Sequence, residues 1–455
     1  MLSTGHPPPR PAAQGMAALT VVMVLFFIMA LVAAYTNRNL VFEQRTAANS
    51  YKAERALMAA DAAADWALTQ LNSGRVDAQC EPSSDTANLD FRRRYLTLDA
   101  AGGYSVVSTA ALVPLYSGCL ANGTTLSCSC TSVASPTPAL SWGNDSSASA
   151  FRVSFVRPGL AVRPGTITVE LRGCATPGSS AQPCVNNLNT EPAADALSNV
   201  RVSLGLVRAL PNPPAAALSV AGDASAASGV ELRISNPDPG TGISLHAGGT
   251  VTGTQVLSGP AGAPGNGGVS GDASLANPLP AQAATLNLLR RQFLSTYGMQ
   301  REEFMRQPAV VRVNCSTGCD TARLVQVINA FPRRTLWISG NLTLDSVPAG
   351  GGTLGSDTEP VMIIVAKADP DDLAATDGVL TVQAGVTING FVHAEGGINW
   401  ASGAAAAVVN GALVSGAGVS ANGHLSVAYR RDLLDLIKLG YGSFVRVPGS
   451  WTRPS

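Results

Sequence analysis

The longest uninterrupted apolar run lies near the start of the chain. Residues 16–36 carry no charged side chain, and Thr20, Tyr35 and Thr36 are their only polar side chains. A helix of this length, at ~1.5 Å per residue, spans the ~30 Å hydrocarbon core of a bilayer. The pattern therefore predicts a transmembrane helix over residues 16–36.

Helix-forming sequence continues well past the apolar run. Neither Gly nor Pro occurs between Met16 and Ser73, and Gly74 then supplies a stop signal. In the last third, apolar residues recur every three or four positions, at Ala53, Leu57, Ala60, Ala64, Leu68 and Leu71. We expect one helix over residues 16–73, whose last third packs on a globular domain.

The sequence after the helix alternates between apolar and polar residues. This period of two predicts strands within residues 95–113, 151–156, 165–171 and 200–210, with the first range forming a hairpin. We expect residues 74–210 to form a disulfide-containing β domain that packs on the helix.

The pattern of apolar and polar residues changes after Pro211. Apolar runs of two to five residues are separated by Gly, Asn or Asp as far as residue 429, which predicts short strands stacked in a β-helix-like or solenoid-like domain over residues 211–445. A sandwich of the same strands stays open, because no fixed period emerges. Residues 284–307 form a helical insert, and residues 429–440 predict a helix that caps the open end of the stack. The predicted class is α+β.

Composition narrows the range of partners. The 455 residues are 46% hydrophobic and 13% charged, with 30 Lys and Arg against 30 Asp and Glu. Binding to a phosphate backbone requires a basic face, so we expect no nucleic-acid partner. The high apolar content also excludes a wholly disordered chain.

The chain contains eight cysteines, and all follow the apolar run. They are Cys80, Cys119, Cys128, Cys130, Cys174, Cys184, Cys315 and Cys319. The even number suits disulfides in an oxidising periplasm. Local spacing favours the pairs 174–184 and 315–319 and leaves the other four to pair among themselves in an unspecified way. Zinc is disfavoured, because no histidine lies near the C-x-C and C-x-x-x-C pairs.

The N-terminal features together carry a family resemblance. A hydrophilic leader ending in Gly15, an uncharged run and one long helix resemble the type IV pilin group, and residues 14–72 are similar to the N-terminal region of PilX-type minor pilins. The resemblance implies a leader over residues 1–15, cleavage by prepilin peptidase between Gly15 and Met16, and methylation of the new N-terminus.

One position departs from the major pilins. They carry Glu at the fifth residue after the cut, where this chain has Thr20. A hydroxyl cannot form the charge-assisted pair that the carboxylate makes with a neighbouring subunit's terminal amine. Thr20 therefore favours an initiating or tip-end subunit over a repeated shaft subunit.

The resemblance also implies a location, partners and a function. It places the chain in the inner membrane as a single-pass protein with a periplasmic body, and on the cell surface after pilus assembly. The implied partners are major and other minor pilins, prepilin peptidase and the inner-membrane assembly machinery. We expect a structural minor pilin that primes or caps the pilus tip, with a role in adhesion or twitching motility. The alternatives are a minor pseudopilin of type II secretion and a membrane-anchored periplasmic protein of another function.

Candidate chemistry is sparse. His6, His246, His393 and His424 are scattered without ligand spacing, no catalytic constellation emerges, and we expect neither enzymatic activity nor a cofactor. The one acidic cluster comprises Asp369, Asp371, Asp372 and Asp377. Several carboxylates on one loop could ligate Ca²⁺, although the same residues are ordinary turn formers.

Overall fold

A computed structural model describes residues 14–453 except 112, 139, 141–147, 157–162, 176–195, 261–267, 277–285, 349–351, 373 and 402–406, with side chains described from residue 18. The helices in this part are α1 (Gln14–Asn72), α2 (Phe91–Tyr95), α3 (Ala273–Ala276), α4 (Leu288–Tyr297), α5 (Arg301–Met305), α6 (Thr321–Ala330) and α7 (Arg431–Gly440). The α+β class is confirmed, with one long helix followed by a mainly β body.

The strands of the described part are numbered in chain order and pair into three sheets. Residues 96–208 contain β1 (Leu96–Leu98), β2 (Tyr104–Val106), β3 (Tyr116–Asn122), β4 (Thr125–Cys130), β5 (Ser149–Val156), β6 (Thr166–Ala175) and β7 (Ala196–Arg208). Residues 216–354 contain β8 (Ala216–Val220), β9 (Ala224–Ala226), β10 (Glu231–Ser235), β11 (Ile243–Ala247), β12 (Val251–Thr252), β13 (Thr254–Ser258), β14 (Val310–Cys319), β15 (Thr335–Leu344) and β16 (Thr353–Leu354). The remaining strands are β17 (Val361–Ala366), β18 (Val379–Val382), β19 (Thr387–Ala394), β20 (Gly397–Trp400), β21 (Ala407–Ser415), β22 (Val419–Ala421), β23 (Leu425–Ala428) and β24 (Gly442–Arg446).

An antiparallel sheet supports the long helix. Its strand order is β24-β7-β6-β5-β3-β4, and a separate hairpin pairs β1 with β2. The helix α1 packs across β5, β6, β7 and β24. The predicted β domain of residues 74–210 therefore gains its edge strand from the far end of the chain.

The rest of the body is a stack of parallel strands. One turn of the stack runs through β17, β18 and the start of β19, and the next runs through the end of β19, β20 and the start of β21. Corresponding residues lie above one another in register. One such column begins at the partly buried Val311 and continues through the buried Leu336, Ile363, Val392, Leu413, Leu218 and Leu245. The sequence prediction of a solenoid-like stack describes this arrangement better than a sandwich does.

Glycines permit the corners where a strand passes from one face to the next. Gly390 and Gly411 are partners in register, with φ values of 147° and 142°. A Cβ on Gly411 would lie 1.8 Å from the carbonyl oxygen of Gly390, so no larger residue fits without displacing the backbone.

The order of the stack does not follow the order of the chain. The turns formed by residues 216–235 and 243–258 come first in sequence, yet they stack beyond β21 to β23. The chain then returns to the opposite end of the stack at β14. Two segments separated by about 190 residues thus share one continuous sheet.

The helical insert covers the outside of the stack. The insert predicted over residues 284–307 consists of α4 and α5, with residues 284 and 285 outside the described part. Phe293 lies edge-on to both Phe304 and Trp337, and Tyr297 stacks on His393. These aromatic contacts give the insert its own buried interface.

Two predictions for the C-terminal part are wrong. The helix predicted at residues 429–440 is α7, but it contacts β7, β19 and β21 alongside the stack and does not cap its open end. Its buried Leu433, Leu434 and Ile437 form one apolar face, which seats the helix between the two sheets. In addition, β24 extends the antiparallel sheet, so residues 442–445 do not belong to the predicted domain of residues 211–445.

Candidate assembly helix and its anchor in the body

The first half of α1 makes no packing contact that buries it. Every described residue from 18 to 51 is exposed, including a continuous series of large apolar side chains. Each of these is at least 47% exposed: Leu19, Val21, Val22, Met23, Val24, Leu25, Phe26, Phe27, Ile28, Met29, Leu31, Val32, Tyr35, Leu40, Val41, Phe42 and Tyr51. An apolar surface of this extent requires lipid or other apolar helices around it.

The sites implied at the start of the helix are only partly described. The backbone of Gly15 and Met16 lies in α1, but the side chain of Met16 and residues 1–13 are outside the described part. Thr20 lies on the exposed half of the helix. By length and composition, Ala18–Asn72 contains one stretch of described helix that is apolar enough to cross a membrane.

The second half of α1 packs on the antiparallel sheet mainly through alanines. Ala56, Ala60, Ala63, Ala67 and Leu71 are buried, whereas Ala53 at the start of the predicted stripe is exposed. Small side chains let the helix lie close to the strands below it.

Helix α1 and the sheet lie close together at Gly173 on β6. A Cβ at this position would lie 2.1 Å from the carbonyl oxygen of Ala56 and 2.4 Å from the amide nitrogen of Ala60. Only glycine therefore allows the observed separation between α1 and β6.

The end of α1 is held by three buried residues, Asn72, Arg92 and Arg334, which we call the helix-end anchor. Arg92 Nε and Arg334 Nη2 both donate to the carbonyl oxygen of Leu71, at 2.5 and 3.2 Å. Arg334 Nη2 also donates to the carbonyl oxygen of Ser73 at 2.5 Å. The last carbonyls of a helix have no partner within it and carry partial negative charge, so two guanidinium groups satisfy and stabilise them.

The helix-end anchor also binds the strand that closes the body. Asn72 Nδ2 donates to the carbonyl oxygen of Phe444 at 3.0 Å, and the amide of Phe444 donates to Asn72 Oδ1 at 2.9 Å. Arg92 Nη2 donates to the carbonyl oxygen of Gly442 at 2.7 Å. One side-chain amide thus joins α1 to β24 as a strand partner would.

Burial changes the proton affinity of the helix-end anchor without removing its charge. Burial, and next the charge of Arg334, lowers the pKa of Arg92 to about 9, and burial also lowers the pKa of Arg334. Burial alone would raise the pKa of the nearby Asp90, but the charges of Arg334 and Arg93 lower it. The cluster therefore contains ionised groups of both signs at neutral pH.

Disulfides fix the segment that follows the helix. Cys80 pairs with Cys130 and Cys119 with Cys128, both within the antiparallel domain, and Cys315 pairs with Cys319 at the end of β14. Cys174 is also disulfide-bonded, whereas Cys184 lies outside the described residues. The first of these bonds ties the chain just beyond α1 to β4.

The acidic loop uses its carboxylates for its own hydrogen bonds. Asp371 pairs with Arg290 at 2.9 Å, and the other three carboxylates accept from amides of the same loop. Those three are Asp369, Asp372 and Asp377. Within the described ranges, no three His, Cys, Asp or Glu side chains are grouped as metal ligands. The structure thus does not bring this set together as a calcium site.

The four histidines do not form one site, although His246 and His393 line a common cleft. His393 is buried beneath α4, His246 lies on β11, and His424 is exposed, while His6 is outside the described residues. The residues that matter most at the helix end, Arg92 and Arg334, carry no sequence motif, and only the run of three arginines at 92–94 could have drawn notice to one of them.

Comparison with known proteins bears on the N-terminal part of the chain. Residues 14–65 match the family model described as PilX N-terminal. No curated protein matches the chain. Among solved structures, the competence-associated pilin ComZ from Thermus thermophilus has 10% sequence identity and a TM-score of 0.22, with 89% of this chain and 98% of that chain covered. A TM-score of this size does not establish a shared fold. The family match confirms the prediction of a PilX-type, type IV pilin-like N-terminal region, which spans the exposed half of α1 and part of its packed half.

Proposed function

We propose that this chain is a structural minor pilin that primes or caps assembly of a type IV pilus at its tip. The observation that carries the proposal is α1. A single helix is apolar and exposed on all sides over residues 18–36, and its other end is fixed in a folded body by the alanine face and the helix-end anchor. The match of residues 14–65 to the PilX N-terminal family supports the same role.

The proposed mechanism is a change of surroundings for one helix. In the inner membrane, lipid covers the apolar half of α1 while the body lies in the periplasm. During assembly, the corresponding helices of major and other minor pilins replace the lipid. Because the anchored end of α1 cannot turn independently of the body, the position of the helix among its neighbours also sets the position of the body.

Two features favour the tip over the shaft. Thr20 offers no carboxylate for a neighbouring terminal amine, which weakens the pairing on which a repeated shaft subunit depends. The body beyond residue 73 is also large, so repeated copies along a shaft would crowd one another. Adhesion or twitching motility is the external role that follows from a position at the tip.

Processing of the N-terminus tests this function. The full chain is expressed with and without prepilin peptidase, and its mass is measured. We expect loss of residues 1–15 and one added methyl group only when the peptidase is present, and no processing of a Gly15→Leu variant. An unprocessed chain in both strains would exclude a pilin.

A deletion strain separates the proposed role from the main alternative. Loss of surface pili with secretion intact supports a minor pilin. Loss of type II secretion with pili intact would instead identify a pseudopilin.

A further inference from the structure

A cleft of about 170 Å³ lies between the outer face of the parallel stack and the helices α3 and α4. Ser219 on β8 and His246 on β11 line one part of it, and His393 on β19 and Ser415 on β21 line another. Gln292 on α4 faces them across the cleft. The cleft exists because the turns formed by residues 216–258 stack beyond β21, which brings these distant strands side by side.

The described lining contains no Lys, Arg, Asp or Glu side chain, and its two titratable residues are histidines. Burial, assisted by the charge of Arg301, lowers the pKa of His393 to about 4, so this ring is neutral. His246 is engaged by Asp272, whose carboxylate lies 2.6 Å from its Nε2. A site with this lining favours a neutral ligand over an ion.

Two buried polar atoms of the lining have no protein partner in the described part of the chain. They are His393 Nε2, in a residue that is 1% exposed, and Gln292 Oε1. The second polar atom of each side chain is already used, because His393 Nδ1 lies 2.8 Å from the Tyr297 hydroxyl and Gln292 Nε2 donates to the carbonyl oxygen of Leu275 at 3.3 Å. Leaving such atoms unsatisfied is costly, so a ligand that reaches both would gain affinity.

The chemistry of the two atoms specifies the ligand. Gln292 Oε1 can only accept a hydrogen bond, so the ligand must donate to it. His393 Nε2 donates or accepts according to the tautomer that the Tyr297 hydroxyl selects. A hydroxyl group serves in either direction, and a molecule with several hydroxyls satisfies both atoms for either tautomer.

We propose that this cleft binds a neutral polyhydroxylated ligand of monosaccharide size, held by Gln292 Oε1 and His393 Nε2. The volume supports the size, since it equals about six water molecules at ~30 Å³ each and lies below the ~300 Å³ at which drug-sized pockets begin. A free sugar and the terminal residue of a glycan chain share this chemistry. The inference goes beyond the pilus role and does not depend on it.

The test is a titration of the full chain in a detergent that has no sugar headgroup. The probes are glucose, galactose, mannose and N-acetylglucosamine, their methyl glycosides, and glucuronate as a charged counterpart. Binding is followed by saturation-transfer NMR and calorimetry. We expect saturable binding of at least one neutral sugar or methyl glycoside, with glucuronate weaker. A methyl glycoside that binds as well as its free sugar identifies a glycan terminus, whereas binding of the free sugar alone identifies a free sugar.

Three variants locate the binding. Gln292→Leu removes the acceptor, and His393→Phe removes Nε2 while it keeps a ring against Phe293 and Tyr297. Each should weaken binding at least tenfold. His424→Gln is the matched control, because His424 is exposed elsewhere and its Nδ1 accepts from the amide of Glu231. It should bind as the wild type does.

The proposal fails if no probe binds saturably, if glucuronate binds best, or if Gln292→Leu binds as tightly as the wild type. Gln292 is only half-buried on α4, so this variant decides the outcome even if His393→Phe does not fold.

Discussion

Arg334 illustrates how one side chain can complete a helix from a distant part of the sequence. It is 2% exposed, and its guanidinium group reaches the carbonyl oxygens of Leu71, Asn72 and Ser73. Leu71 and Asn72 are themselves buried, so their carbonyls depend mainly on protein donors. A buried charge is tolerated there because several oxygens of the helix end surround it.

We predict that Arg334→Met lowers the free energy of unfolding by about 3 kcal/mol, because it removes a donor from the carbonyls of Asn72 and Ser73 and leaves the Leu71 carbonyl with Arg92 alone. Arg323→Met is the matched control, since Arg323 is exposed on α6, and its effect should stay within about 0.5 kcal/mol. Denaturant titration of the full chain in detergent measures both. An equal loss in the two variants would show that the helix-end anchor adds no stability.

His393 makes stability depend on pH in a defined range. Its pKa is about 4 in the folded chain against a usual value of 6.5, so the unfolded chain binds the proton more readily between these two values. We therefore predict that stability falls as the pH is lowered from about 7 to 4, with about 3 kcal/mol of this loss due to His393.

The comparison of pH profiles isolates this histidine from the carboxylates. His393→Phe should lose less stability over the same range than the wild type, whereas His424→Gln should keep the wild-type slope. Parallel profiles for the wild type and His393→Phe would refute the assignment.

The contact between α1 and the antiparallel sheet depends on the absence of one side chain. Gly173→Ala would place a Cβ 2.1 Å from the Ala56 carbonyl oxygen, so the helix must move away from β6. We predict a loss of about 1–3 kcal/mol, as for other overpacked interfaces. Gly205→Ala on β7 is the control, because its Cβ would come no closer than 3.4 Å to Val447. Thermal melting distinguishes them, and similar melting temperatures would contradict the close packing.

The elements differ in how far the sequence reveals them. The helix predicted over residues 16–73 is observed over Gln14–Asn72. It could be predicted because its signals, an apolar run and a long stretch without Gly or Pro, are local. The stack of short strands could be predicted for the same reason, because the glycines at its corners recur along the sequence. The order of the turns was not visible. Pairing of β8 with β21 joins residues that lie far apart in sequence, and no local pattern encodes it.

Some features of the candidate site could likewise be predicted from the sequence, and others could not. The apolar half of α1 and the position of Thr20 could be predicted from consecutive residues and from the family resemblance. The helix-end anchor and Gly173 could not, because the partners of Arg334 and Gly173 lie more than 100 residues away along the chain. The prediction placed α7 wrongly for a related reason. Its apolar face predicted burial, but the sequence does not state which of two sheets would cover it.

In the whole molecule, the apolar half of α1 is exposed and the other half packs on the body. Three features hold this packed half: the alanine face, the helix-end anchor, and β24, where Arg446 pairs with Asp65 of α1 at 2.8 Å. A plain membrane anchor would need only the apolar half. The extended contact of the body with α1 is what a subunit needs if it is to hold a fixed orientation among neighbouring helices.

The most direct test is to locate the chain on pili. Pili are sheared from cells, labelled with an antibody against the body and imaged by immunogold electron microscopy, with a deletion strain as the control. The account predicts label at one end of wild-type pili. Pili without any label would contradict a pilus subunit, and label distributed along the shaft would contradict the proposed position at the tip.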